Sequence, residues 1–66
     1  MKPKEFKRIR HELYASQAAA ARALGVSRMT VCRWENGTRR IPEIAAKLLR
    51  RLYAEKEELD AGGKIS

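Results

Sequence analysis

The stretch Leu24-Gly25-Val26-Ser27 limits the fold of this chain more than any other part of it. Upstream, Ser16 is a good N-cap for "QAAAARAL", a strong helix-forming run that stops at Gly25. Downstream, Ser27 is a second N-cap and opens a helix to Glu35 or Asn36, with Gly37 placed where a helix-closing glycine belongs. Only Val26 stands between the stop and the next start. Helices this short and this tightly joined cannot lie antiparallel, so the sequence predicts that they cross steeply, as in a helix-turn-helix.

The remaining segments are what such a pair would pack on. Pro3 suits a first helical turn, and Phe6, Ile9 and Leu13 follow as one apolar stripe, predicting a helix over about residues 3 to 14. Beyond the basic loop Thr38-Arg39-Arg40, Pro42 starts a helix that meets no breaker until about Leu59. "DAGGKIS", residues 60 to 66, has no periodicity and reads as a disordered tail. No β-alternation and no internal repeat occur, so the chain is all-α, with one folded unit over residues 1–59.

Composition restricts function. A chain of 66 residues is one domain near the lower limit for folding without staples, and its single cysteine, Cys32, excludes an intrachain disulfide or a cysteine-cluster metal site. The N-terminus "MKPKEFKRIR" has no apolar region behind its charges, and no run approaches the roughly 20 apolar residues of a membrane span. The expectation is a cytoplasmic protein with no membrane partner. Fifteen Lys plus Arg against eight Asp plus Glu leave a net charge of +7, which favours a polyanionic partner. Paired carboxylates, a nucleophile with a histidine base, a Gly-rich phosphate loop and a metal-ligand cluster are all missing from the sequence. An enzyme, a cofactor and a small-molecule ligand are therefore not expected.

The helix after Ser27 has an unusual outer face. Wound at about 100° per residue, Val31 and Trp34 fall on one side, while Arg28, Met29, Cys32, Arg33 and Asn36 fall on the other. Long cations mixed with apolar side chains suit water poorly. They suit a DNA major groove, which is about 12 Å wide and accepts a helix. Arg28 and Arg33 can each donate to O6 and N7 of a guanine, and Met29 can pack on a thymine methyl. Cys32 reads as a small residue that fits close to DNA, and Val31 and Trp34 read as core.

These residues carry a resemblance. "SQAAAARALGVSRMTVCRWENGTRRIP" resembles the helix-turn-helix of Cro/phage-repressor-type (XRE-like) DNA-binding proteins. The matched features are Gln17, Ala21, Leu24 to Ser27, Val31 and Trp34-Glu35-Asn36-Gly37, within about residues 5 to 45. The resemblance implies a lambda-repressor-like domain of four helices, or of five. It implies that Ser16 and Gln17 touch a phosphate and that Ser27, Arg28, Met29 and Arg33 reach into the groove. Thr38, Arg39 and Arg40 would run along the DNA backbone, with Thr30 and Asn36 as further phosphate contacts. Glu35 would pair with an arginine of the first helix, where Arg10 flanks the apolar stripe. Ala20 stands where a leucine is usual, and Tyr14-Ala15 replace the common Gly-Leu. The family's usual fifth helix is absent or merged with the fourth.

The long last helix carries Ile44, Leu48, Leu52 and Leu59 in one arc, widened by Ala45, Leu49 and Tyr53. So much apolar surface on so small a domain predicts a homodimer contact through Leu49, Leu52 and Tyr53. A two-fold dimer would set its recognition helices about 34 Å apart and require an inverted-repeat operator. The expected function is a sequence-specific regulator of double-stranded DNA. An autoregulating repressor of a phage or mobile-element operon, linked to toxin or anti-CRISPR genes, would fit this size. It would act at the nucleoid of a bacterium or a phage-infected host. The alternatives are an antitoxin whose main task is to bind a toxin, and a nonspecific nucleic-acid or membrane-surface binder resting on charge alone.

Overall fold

The computed structural model describes the backbone of residues 1–65 and the side chains of residues 1–59. Four helices follow in order: α1 (Pro3–Leu13), α2 (Gln17–Leu24), α3 (Arg28–Asn36) and α4 (Glu43–Ile65). Each boundary has a local cause. Pro3 occupies the first turn of α1, where a missing N–H costs nothing. Ser16 Oγ accepts from Ala19 N at 3.1 Å, and Ser27 Oγ accepts from Thr30 N at 3.2 Å, so α2 and α3 both begin on a serine cap.

Both helices end in the same way. Gly25 and Gly37 take φ values of +72° and +79°, a left-handed conformation that other residues rarely adopt. At the first, Val26 N donates to Ala21 O at 3.0 Å and Gly25 N donates to Arg22 O at 3.3 Å. At the second, Thr38 N donates to Arg33 O at 3.1 Å and Gly37 N donates to Trp34 O at 3.4 Å. These are Schellman closures, and they satisfy the last carbonyls of each helix while reversing the chain. Val26, the residue just past the first closure, then packs on the core.

α2 packs on α3, and α1 packs on both α3 and α4. The core between them contains Phe6 and Ile9 of α1, Ala21 of α2, and Val31 and Trp34 of α3. Ile41 and the α4 residues Ala45, Ala46 and Leu49 complete it. Trp34 and Phe6 meet edge to face with ring centroids 5.6 Å apart, the arrangement that ring quadrupoles favour. The Trp34 indole nitrogen is buried with no acceptor among the described residues, so ring burial rather than a polar contact holds this side chain.

Two features of α4 differ from the sequence-based expectation. Its backbone stays helical to Ile65 rather than ending near Leu59; the tail expected over 60–66 thus falls on helix up to Ile65, and Ser66 lies outside the described residues. Once nucleated, a helix gains one hydrogen bond for each added residue and can extend beyond its tertiary contacts. The second difference is the side of α4 that faces inward. Leu49 is fully buried and belongs to the domain's own core, so it is not a dimer contact. Ala45 and Ala46 let α4 approach closely, and that draws Leu49 between the other helices. Tyr53 also turns inward: it packs against the core, and its hydroxyl lies beside the Glu12 and Glu57 carboxylates. Those two acceptors keep the proton on, pushing the Tyr53 pKa up to about 12.

Candidate nucleic-acid interface

α3 is held from behind by packing and by a charged network. Val31 and Trp34, three residues apart on one face, are buried. On its last turn Glu35 accepts from Arg10 Nε at 2.8 Å through Oε2 and from Arg10 Nη2 at 3.2 Å through Oε1. Both side chains are almost wholly removed from solvent, at 5% and 3% exposure, which makes this a two-pronged buried ion pair. The remaining Arg10 donor, Nη1, reaches the carbonyls of Tyr14 at 3.3 Å and Ala15 at 3.4 Å. One guanidinium thus ties the end of α1 and the α1–α2 connection to α3.

Burial of Glu35 favours the neutral acid, but the hydrogen bonds from Arg10 and Gln17 and the Arg10 charge outweigh it. The Glu35 pKa consequently lies below its ordinary value of 4.5. Arg10 Nη2 also sits 3.2 Å from His11 Nε2, and a guanidinium only donates, so that imidazole nitrogen is the acceptor.

Gln17 has a partner inside the domain besides the phosphate role implied by the resemblance. Its Nε2 donates to Glu35 Oε1 at 3.0 Å, so the side chain at the start of α2 is engaged inside the domain. The sequence does not distinguish this contact from a phosphate contact, because an amide at a helix N-terminus serves either. The result is that α2 is locked to α3 through the same carboxylate that holds α1.

The opposite face of α3 is open. Arg28 and Arg33 are exposed, Met29 is 54% exposed, and Cys32 is half-buried between them. Ser27 and Thr30 share a hydroxyl–hydroxyl hydrogen bond of 2.9 Å at the leading end. Asn36 Nδ2 donates to Cys32 Sγ at 3.4 Å at the trailing end. Thr38, Arg39 and Arg40 follow as an exposed loop, its start secured by Thr38 Oγ1 donating to Arg33 O at 3.4 Å. Ser16, also exposed, lies at the N-terminus of α2.

The charge of this region has one sign. From Tyr14 to Pro42 the sequence holds five arginines (Arg22, Arg28, Arg33, Arg39 and Arg40) and one carboxylate, Glu35. That carboxylate is turned inward and neutralised by Arg10. All five arginines are exposed. Such a face offers forked donors to phosphates and base edges without competing acids. No helix among the described residues is long and apolar enough to cross a membrane.

Residues 4–62 match a family model described as a helix-turn-helix domain, and the match spans nearly all of the four-helix unit. Comparison with curated proteins and with solved structures found no match.

Proposed function

The chain belongs to the helix-turn-helix domain family, a DNA-binding family, and we propose that it is a sequence-specific transcriptional regulator that represses its own operon. α3 enters the major groove of an inverted-repeat operator, one α3 from each copy of a homodimer. Arg28 and Arg33 read guanines, Met29 packs against a thymine methyl, and Ser27 approaches the base edges at the leading end. Ser16, Gln17, Thr30, Asn36, Thr38, Arg39 and Arg40 contact phosphates, joined by the backbone N–H groups at the start of α2, with Gln17 using the Nε2 proton that Glu35 leaves free. With the promoter covered, polymerase is blocked. An operon of a phage or mobile element suits a regulator this small, whose level in the cell would set its occupancy.

The observation that carries this reading is the contrast between the two faces of α3. Its inner face is fixed to α1 and α2 by Trp34 and Glu35, and its outer face presents Arg28, Met29 and Arg33 to solvent. A helix so held does not have to be ordered on binding, and its exposed apolar side chain lies between forked donors. Selection of bound duplexes from a random pool, followed by competition at about 0.15 M salt, tests the proposal. An enriched inverted repeat that outcompetes random duplex is the expected result. Equal competition by random duplex would leave only charge-driven binding.

A further inference from the structure

The outward face of α4 carries an apolar stripe that the fold leaves uncovered. Ile44 is 79% exposed, Leu48 38% and Leu59 76%, and Leu52 is half-buried. At about 100° per residue these four lie within one arc, beside the inward face of Ala45, Leu49 and Tyr53. The stripe runs into an open groove of about 370 Å³ between the end of α1 and the distal turns of α4. Leu13, Tyr14, Leu52 and Leu59 line the groove, with Glu55 and Lys56 also on its wall.

Charge says what covers this face. Between Glu43 and Arg51, α4 carries Lys47, Arg50 and Arg51 against the one acid Glu43, an excess of two positive charges. Between Leu52 and Leu59 it carries Glu55, Glu57 and Glu58 against Lys56, an excess of two negative charges. The helix is therefore basic near the domain and acidic away from it. A second copy laid antiparallel brings each basic half beside an acidic half; a parallel copy brings like against like.

The geometry points to an antiparallel α4–α4 contact between two copies of this chain, centred near Leu52. It rests on the reading of the protein as a dimeric DNA binder and gives that dimer its face and direction. In this register Ile44 of each copy meets Leu59 of the other, and Ile44 and Leu48 enter the partner's groove beside Leu13 and Tyr14. Lys47 and Arg51, on the solvent side of the stripe, then stand alongside Glu58 and Glu55 of the partner subunit. Within one chain Arg51 Nε already donates to Glu55 Oε1 at 3.3 Å, so the two copies would join these pairs into one network. The contact is self-complementary, as a two-fold interface must be.

Sedimentation equilibrium on the full chain tests the contact, with circular dichroism checking that each variant is folded. Lys47→Glu with Arg51→Glu makes the solvent edge of the stripe, positions 47, 51, 55 and 58, wholly acidic and should weaken association about tenfold or more. Adding Glu55→Lys and Glu58→Lys restores opposite charges only in the antiparallel arrangement, and dimerisation should return. In a Cys32→Ser background, Ile44→Cys with Leu59→Cys should form a disulfide-linked dimer on oxidation, whereas either cysteine alone should not. A wild-type chain that stays monomeric at about 100 µM, far above typical dimer constants, would overturn the inference. So would a fourfold charge variant that fails to recover association, or crosslinking by either single cysteine variant. If association fails while Arg33→Ala still alters base preference on a half-site, the contact is wrong and the DNA reading stands. If the dimer forms as described but no duplex is preferred, the DNA reading fails and the contact stands.

Discussion

Arg10 is a cation with almost no access to water, and its cost in desolvation is offset because all three of its side-chain nitrogens find acceptors. Removing it leaves Glu35 as an uncompensated buried charge, so Arg10→Ala should destabilise the domain by about 3–5 kcal/mol, read by urea unfolding at neutral pH. The same pair sets an acid limit. Because the Glu35 pKa is lowered on folding, its contribution is fully present above the ordinary value of 4.5. That contribution fades as pH falls through the lower folded value. Glu35→Gln should therefore flatten the dependence of stability on pH below about 4.5. Wild-type and variant curves that stay parallel there would remove Glu35 from the acid transition. On the opposite face of α3, Arg33→Ala should relax base preference at one operator position by about 1–3 kcal/mol. A uniform loss over all sequences would instead make Arg33 a phosphate contact.

Short helices are marginal alone, and α2 and α3, at 8 and 9 residues, depend on how they are closed as much as on what they bury. Gly25 has open space where a Cβ would project, so Gly25→Ala isolates the backbone term at φ +72°. The expected loss is about 1–2 kcal/mol, or a fall in Tm of several degrees by thermal unfolding. An unchanged Tm would mean that the turn after α2 relaxes freely and does not hold the pair. These closures were legible in the sequence because Ser16, Gly25, Ser27 and Gly37 act on their own neighbours within four residues. The burial of Val31 and Trp34 was legible for a similar reason: a narrow stripe on a short helix has only one way to face inward. α4 is different. Its apolar residues cover nearly half its circumference, and no local rule says which part the other helices will take. Leu49 and Tyr53 went inward and Ile44, Leu48 and Leu59 stayed out, a choice made by α1 and α2, on which α4 packs, rather than by α4. The engagement of Gln17 with Glu35 was hidden too, since it depends on a partner 18 residues away.

Over the whole molecule, charge is sorted by element rather than mixed. Apart from the internal Glu35, the carboxylates belong to α1 and α4, while the charged side chains that residues 14 to 42 present to solvent are all arginines. A polyanion therefore meets no exposed carboxylate between residues 14 and 42, and attraction by their arginines acts before any base is read. Such attraction depends on salt, because each phosphate neutralised by an arginine releases a condensed counterion. Arg39 is the cleanest place to measure this, since it sits in the exposed loop past α3 and makes no side-chain ion pair among the described residues. Arg39→Ala should weaken binding to every duplex by a similar factor and reduce the slope of log K against log salt by about one. The comparison with Arg33→Ala is informative because both remove one arginine from the same face, and net charge alone would predict identical outcomes. A loss of affinity for Arg39→Ala with the slope unchanged would take Arg39 out of the phosphate-binding set. If both variants instead lowered the slope equally and left base preference intact, the sorted charge would be all that the domain brings to DNA.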